Sequence, residues 1–205
     1  MNMKESSRLS ALKQSLSAPH VRAVEDEGAC PLGVAEIDRV LGGGLMAGRL
    51  HEIFAAGPAD EGSAMGFAAM ATIRLLQERE NGPDKKSILW LREEAVQRRA
   101  GLYGPGLAEI GLDPVCVILG VLPDVKSLLR ASADVLRSGA VGALVLELGG
   151  NPPLLDLTVS RRLALAAERS GVTPLLLRLR GARPMPSAAQ TRWEIAAAPS
   201  APLDA

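Results

Sequence analysis

The sequence predicts an α/β domain: a mainly parallel, doubly wound sheet flanked by helices. Three observations predict it. Short segments such as ALVLEL (143–148) and TPLLLRL (173–179) are apolar almost throughout, as strands covered on both faces must be. Segments of helical length and period alternate with them. The chain has 205 residues, 47% hydrophobic and 22% charged, enough to bury one core without disulfides or metals.

The elements follow in order. Residues 3–17 carry Leu9, Leu12 and Leu16 at helical spacing, and 18–30 form a linker of mixed polarity with a short acidic run. VAEIDRVL (34–41) is a short helix stopped by Gly42-Gly43-Gly44. LHEIF (50–54) is a strand, and 62–80 a helix with Phe67, Met70, Ile73, Leu75 and Leu76 apolar. SILWL (87–91) is a strand, and 93–100 and 106–110 are short helical pieces. VCVIL (115–119) is a strand, 125–137 an amphipathic helix ending at Gly139, and 143–148 a strand. Residues 155–170 form a helix ending at Gly171, before the strands 173–179 and TRWEIAA (191–197). The expected organisation is an N-terminal helix and linker (1–30), the α/β domain (31–198) and a disordered tail (199–205).

Composition excludes several function classes. The 23 basic and 23 acidic residues leave no global field to attract nucleic acid. With only 2% aromatic residues, rows of rings for stacking single strands are absent. Two cysteines, Cys30 in the linker and Cys116 in the expected core, make no disulfide framework and point to a reduced, cytoplasmic setting. No signal peptide or membrane-length apolar run is present. Charge is uneven, however. Residues 151–205 carry 7 bases, all arginine, against 4 acids.

Open α/β sheets bind ligands at the carboxyl ends of their strands, so the turn after LHEIF is the place to look for chemistry. Gly57-Pro58-Ala59-Asp60-Glu61-Gly62-Ser63-Ala64 keeps the glycine spacing of a phosphate-binding loop, G-x-x-x-x-G-K-[ST]. Ser63 stands where lysine would hold the β- and γ-phosphates, and Ala64 where a hydroxyl would ligate magnesium. Asp60 and Glu61 add negative charge beside the anion's position. Each costs on the order of 4 kcal/mol at roughly 4 Å and an effective dielectric of about 20. Ser63 has no histidine nearby in sequence to make it a nucleophile, since His20 and His51 are the only two. The expectation is a degenerate loop, no enzyme activity, no metal and no cofactor.

The string PLGVAEIDRVLGGGLMAGRLHEIFAAGP (31–58) resembles the approach to the phosphate loop in RecA-like cores. The order that follows (loop, helix, SILWL, acids, VCVIL, helix, ALVLE) matches too. More closely, the chain is similar to the ImuA proteins, small RecA-like relatives encoded with a mutasome of error-prone translesion polymerases. RPMPSAAQTRWEIAAAPS (183–200) adds to that impression, and the resemblance covers about 31–198. It implies that Glu93 or Glu94 falls where RecA-like ATPases activate water. Glu147, ending the ALVLE strand, takes the magnesium-binding acid position. A carboxylate buried there needs a partner, and Arg92 is a candidate.

The resemblance further implies that the loops after 143–148 and 173–179 match the DNA-binding loops of RecA relatives. The first is uncharged. The second (180–186) offers Arg180 and Arg183, with Arg178 at the end of the strand before it and Arg192 beyond it, as weak, salt-sensitive DNA or partner contacts. Leu9, Leu12 and Leu16 could form a partner helix. The function implied is non-catalytic: an accessory of SOS-induced DNA damage tolerance that contacts an ImuB-type polymerase subunit and RecA, with DNA bound weakly or indirectly and no membrane involved. Two alternatives are a DNA-dependent ATPase with an atypical loop and a SulA-type cell-division inhibitor.

Overall fold

In a computed structural model of the chain, residues 28–77, 87–99 and 101–199 are described. The expected N-terminal helix with Leu9, Leu12 and Leu16, most of the linker, and residues 200–205 of the tail lie outside them. The first described element was not anticipated. Ala29–Cys30 (β1) and Leu45–Met46 (β2) pair as a small antiparallel ribbon around α1 (Ala35–Val40). Gly44 makes the ribbon possible. Its φ is +139°, and a Cβ there would lie 2.1 Å from the Cys30 carbonyl oxygen. Cys30, expected in a linker, is thereby buried in the core.

The chain then alternates through β3 (His51–Ala55), α2 (Glu61–Gln77), β4 (Ile88–Glu93), α3 (Glu94–Gln97), α4 (Gly104–Glu109), β5 (Val117–Leu122), α5 (Val125–Ser138), β6 (Ala143–Gly149), α6 (Leu157–Ser170), β7 (Thr173–Leu179) and β8 (Thr191–Ile195). The strands build a six-stranded sheet in the order β5-β4-β6-β7-β3-β8, with every neighbouring pair parallel. Successive side chains of a strand leave on opposite faces. Val145 and Leu175 therefore join Ile53 and Trp90 on the α2 face, while Leu144, Leu146 and Leu176 join Leu128, Leu136 and Leu163 under α5 and α6. Two covered faces explain why the central strands carry no polar alternation.

Helix ends follow local chemistry. Asp124 and Asp156 cap α5 and α6 by accepting from the amides of Ser127 and Val159, both at 2.7 Å. Gly139 and Gly171 close them in the left-handed conformation, at φ 66° and 73°. The Asp156 cap is why α6 starts at Leu157 and not at 155.

The expected strand 115–119 needs correction. Residues 114–116 form a single 3-10 turn after an Asp113 cap, and the strand runs over 117–122. It is an edge strand, so Ile118, Leu119 and Val121 are exposed and Cys116 is only half-buried, not a core residue. Among the described residues no helix is long and apolar enough to cross a membrane.

Candidate functional site

The carboxyl ends of β3, β4, β6 and β7 bring together most of the residues singled out in the sequence. The loop after β3 is a helix start and not a cradle. Gly57 is extended, Pro58–Asp60 make one 3-10 turn, and α2 begins directly at Glu61. Both loop acids are committed to backbone amides from distant parts of the chain. Asp60 Oδ1 accepts from Ala197 N–H at 2.8 Å, and Glu61 Oε1 accepts from Arg180 N–H at 2.8 Å. Ala64 is fully buried and Ser63 half-buried, so the position of the phosphate lysine holds only a short hydroxyl and that of the magnesium-binding hydroxyl only a methyl group.

Glu147 lies on the same sheet face as this turn, since it alternates with Val145, which packs in the α2 cluster. Each oxygen of its carboxylate accepts one hydrogen bond. Arg92 Nη2 donates to Oε1 at 2.9 Å and Trp90 Nε1–H to Oε2 at 3.1 Å. Arg92 also donates to Gln97 Oε1 at 3.1 Å, and all three of Trp90, Arg92 and Glu147 are buried. Glu93 only precedes the short helix α3, making no side-chain cap, and Glu94 pairs with Arg98 on the surface at 3.1 Å. The donor set does not suit a magnesium-bound triphosphate: the acid that would hold the metal is neutralised by a guanidinium, and the phosphate lysine is a serine. Among the described residues, no three His, Cys, Asp or Glu side chains converge as a metal site requires.

The opposite face of the sheet carries a second charged cluster. Arg178, expected among the DNA or partner contacts, lies inside β7 and faces the interior. It is buried, 3.4 Å from Glu52 Oε1, with its guanidinium 5.5 Å from the centroid of Phe54. Burial pulls its pKa below the usual arginine value, and the neighbouring Glu52 carboxylate works against that pull. Arg178 Nη2 also donates to Asn151 Oδ1 at 3.0 Å, an oxygen that accepts from Arg183 N–H at 3.0 Å. The two loops expected to be free for DNA are thus tied to each other. Arg192 Nε lies 3.0 Å from Glu52 Oε2, and its Nη2 donates to Met185 O at 2.5 Å. Arg180 and Arg183 remain exposed. Arg180 holds a left-handed backbone, φ 55°, with its side chain over Gly149.

Sequence reasoning missed the polar spine beside β3. Trp193 Nε1–H donates to Thr191 Oγ1 at 2.8 Å, and the Thr191 hydroxyl sits 2.7 Å from His51 Nδ1. His51 Nε2 lies 2.9 Å from the Met46 carbonyl. Because that carbonyl can only accept, Nε2 carries the proton and Nδ1 takes the threonine's. Burial lowers the His51 pKa to about 4. The signal was present in LHEIF, where two polar residues interrupt an otherwise buried strand.

No family model matches the chain. The ImuA proteins of Caulobacter vibrioides strains NA1000/CB15N and CB 15 are each 36% identical to it over 171 residues, 78% of this chain. Over the matched residues the chain is a homologue of these ImuA proteins. It spans 65% of the length of those two ImuA proteins. A crystal structure of SulA from Pseudomonas aeruginosa is similar at 22% identity and a TM-score of 0.45, covering 63% of this chain and 97% of that one. In this ImuA homologue, Glu147 at the carboxyl end of β6 is paired with Arg92, and the loop acids Asp60 and Glu61 accept from backbone amides.

Proposed function

We propose that this ImuA homologue is a non-catalytic, RecA-like accessory protein of SOS-induced translesion DNA synthesis. It acts by contact with an ImuB-type polymerase subunit and with RecA, and touches DNA weakly or through them. One observation carries the reading: both oxygens of the Glu147 carboxylate are occupied, by Arg92 and by Trp90. A buried acid held this way already has its charge balanced by a guanidinium, and turning it toward a metal would strand the Arg92 charge. The kinship with ImuA supports the cellular setting.

Calorimetric titration with magnesium-ATP tests the absence of chemistry. No binding tighter than about 10 μM, roughly −7 kcal/mol, is expected, and no turnover that DNA stimulates. Either finding would overturn the reading. A pull-down with purified ImuB-type polymerase and RecA tests the adaptor role, which is abandoned if the intact chain retains neither.

A further inference from the structure

We infer that the groove between α5 and α6 is a docking site for an acidic amphipathic helix of a partner protein. This rests on the adaptor reading and names the surface it would use. The groove holds about 490 Å³ and lies on the side of the sheet away from the degenerate loop. Leu136 and Ala166 line it, with Leu165 standing 43% exposed beside them. Arg137, Arg162 and Arg169 also line it. On α6 the groove residues fall at i, i+3, i+4 and i+7: Arg162, Leu165, Ala166, Arg169. This is a second stripe, distinct from the buried stripe of Ser160, Leu163, Ala164 and Ala167 that faces the sheet.

Charge decides the occupant. Arg137 is paired with Asp134 within its own helix, but among the described residues Arg162 and Arg169 have no ion-pair partner. They are one heptad apart, about 10 Å along the axis. A helix bearing two acids one heptad apart, with leucines between, meets both cations and covers Leu165. Nucleic acid would satisfy the arginines but leave the apolar floor against phosphates. The chain's own leucine-bearing N-terminal segment suits it poorly, because Lys4, Arg8 and Lys13 outnumber Glu5 there.

The test uses the full chain and two synthetic helical peptides of about four turns. Both carry leucines on one face. One flanks them with glutamates a heptad apart, the other with lysines. Fluorescence anisotropy should show the glutamate peptide bound at least tenfold tighter. The double change Arg162→Glu/Arg169→Glu should reverse that preference with an unchanged thermal midpoint, since both side chains are exposed. Leu165→Ser should weaken both peptides.

The proposal is overturned by equal binding of the two peptides, or by a preference that survives the double change. It is overturned equally if duplex DNA, and not the peptide, depends on Arg162 and Arg169. Self-association abolished by the double change would make the face a contact between copies. Retention of the polymerase-type partner by the double variant would remove the groove while leaving the adaptor reading standing.

Discussion

Arg92 and Glu147 stand on adjacent strands with Nη2 and Oε1 2.9 Å apart, at side-chain exposures of 1% and 2%. Their separation in sequence is 55 residues, and only the pairing of β4 with β6 brings them together. A pair so buried adds little net stability compared with apolar residues, yet breaking it is costly, because one charge is left without a partner.

Arg92→Ala should therefore destabilise the fold by about 3–5 kcal/mol, read from the denaturant midpoint. Arg92→Leu combined with Glu147→Leu should cost much less, within about 2 kcal/mol of the parent chain. If the single and double changes are equally damaging, the ion pair is not what organises this end of the sheet.

His51 predicts an acid-side loss of stability. Its pKa falls from 6.5 to about 4 on folding, so between those values the unfolded chain binds the extra proton. The histidine's contribution is thus full above about pH 6.5 and declines as pH drops toward 4. The difference between pH 7 and pH 5 should be about 2 kcal/mol. His51→Gln removes that slope. Paired urea titrations of the two proteins at both pH values check it, and parallel pH dependences would refute the assignment.

Two glycines of one turn should respond unequally to alanine. Gly42, at φ +74°, has open space where a Cβ would go, so Gly42→Ala should cost only the left-handed penalty of about 1–2 kcal/mol. At Gly44, φ +139°, the new Cβ would strike the Cys30 carbonyl at 2.1 Å. Gly44→Ala should cost more than about 3 kcal/mol by prying β1 from β2. Equal losses in thermal unfolding would mean that the ribbon yields without cost.

The fold was legible because its signals are local. Apolar runs of strand length, helical periods and glycine stops place β6, β7 and α5 within a residue or so of their observed ends. Where a signal depended on neighbours it misled. VCVIL reads as a core strand, but its slot at the sheet edge leaves Ile118 and Leu119 in contact with solvent. Arg178 reads as a contact for DNA or a partner, but Glu52 on β3 and Phe54 hold it inside.

The residues alone established that Ser63 and Ala64 replace the groups a phosphate loop needs, because side-chain chemistry travels with the letter. They also raised Arg92 as a partner for Glu147 but could not decide it. Which charges meet depends on the strand order β5-β4-β6-β7-β3-β8, set by how two covered faces pack and not by any spacing along the chain. Burial then makes each meeting binding: with water excluded, Glu147 must accept from Arg92 and Trp90, and Glu52 must face Arg178 and Arg192.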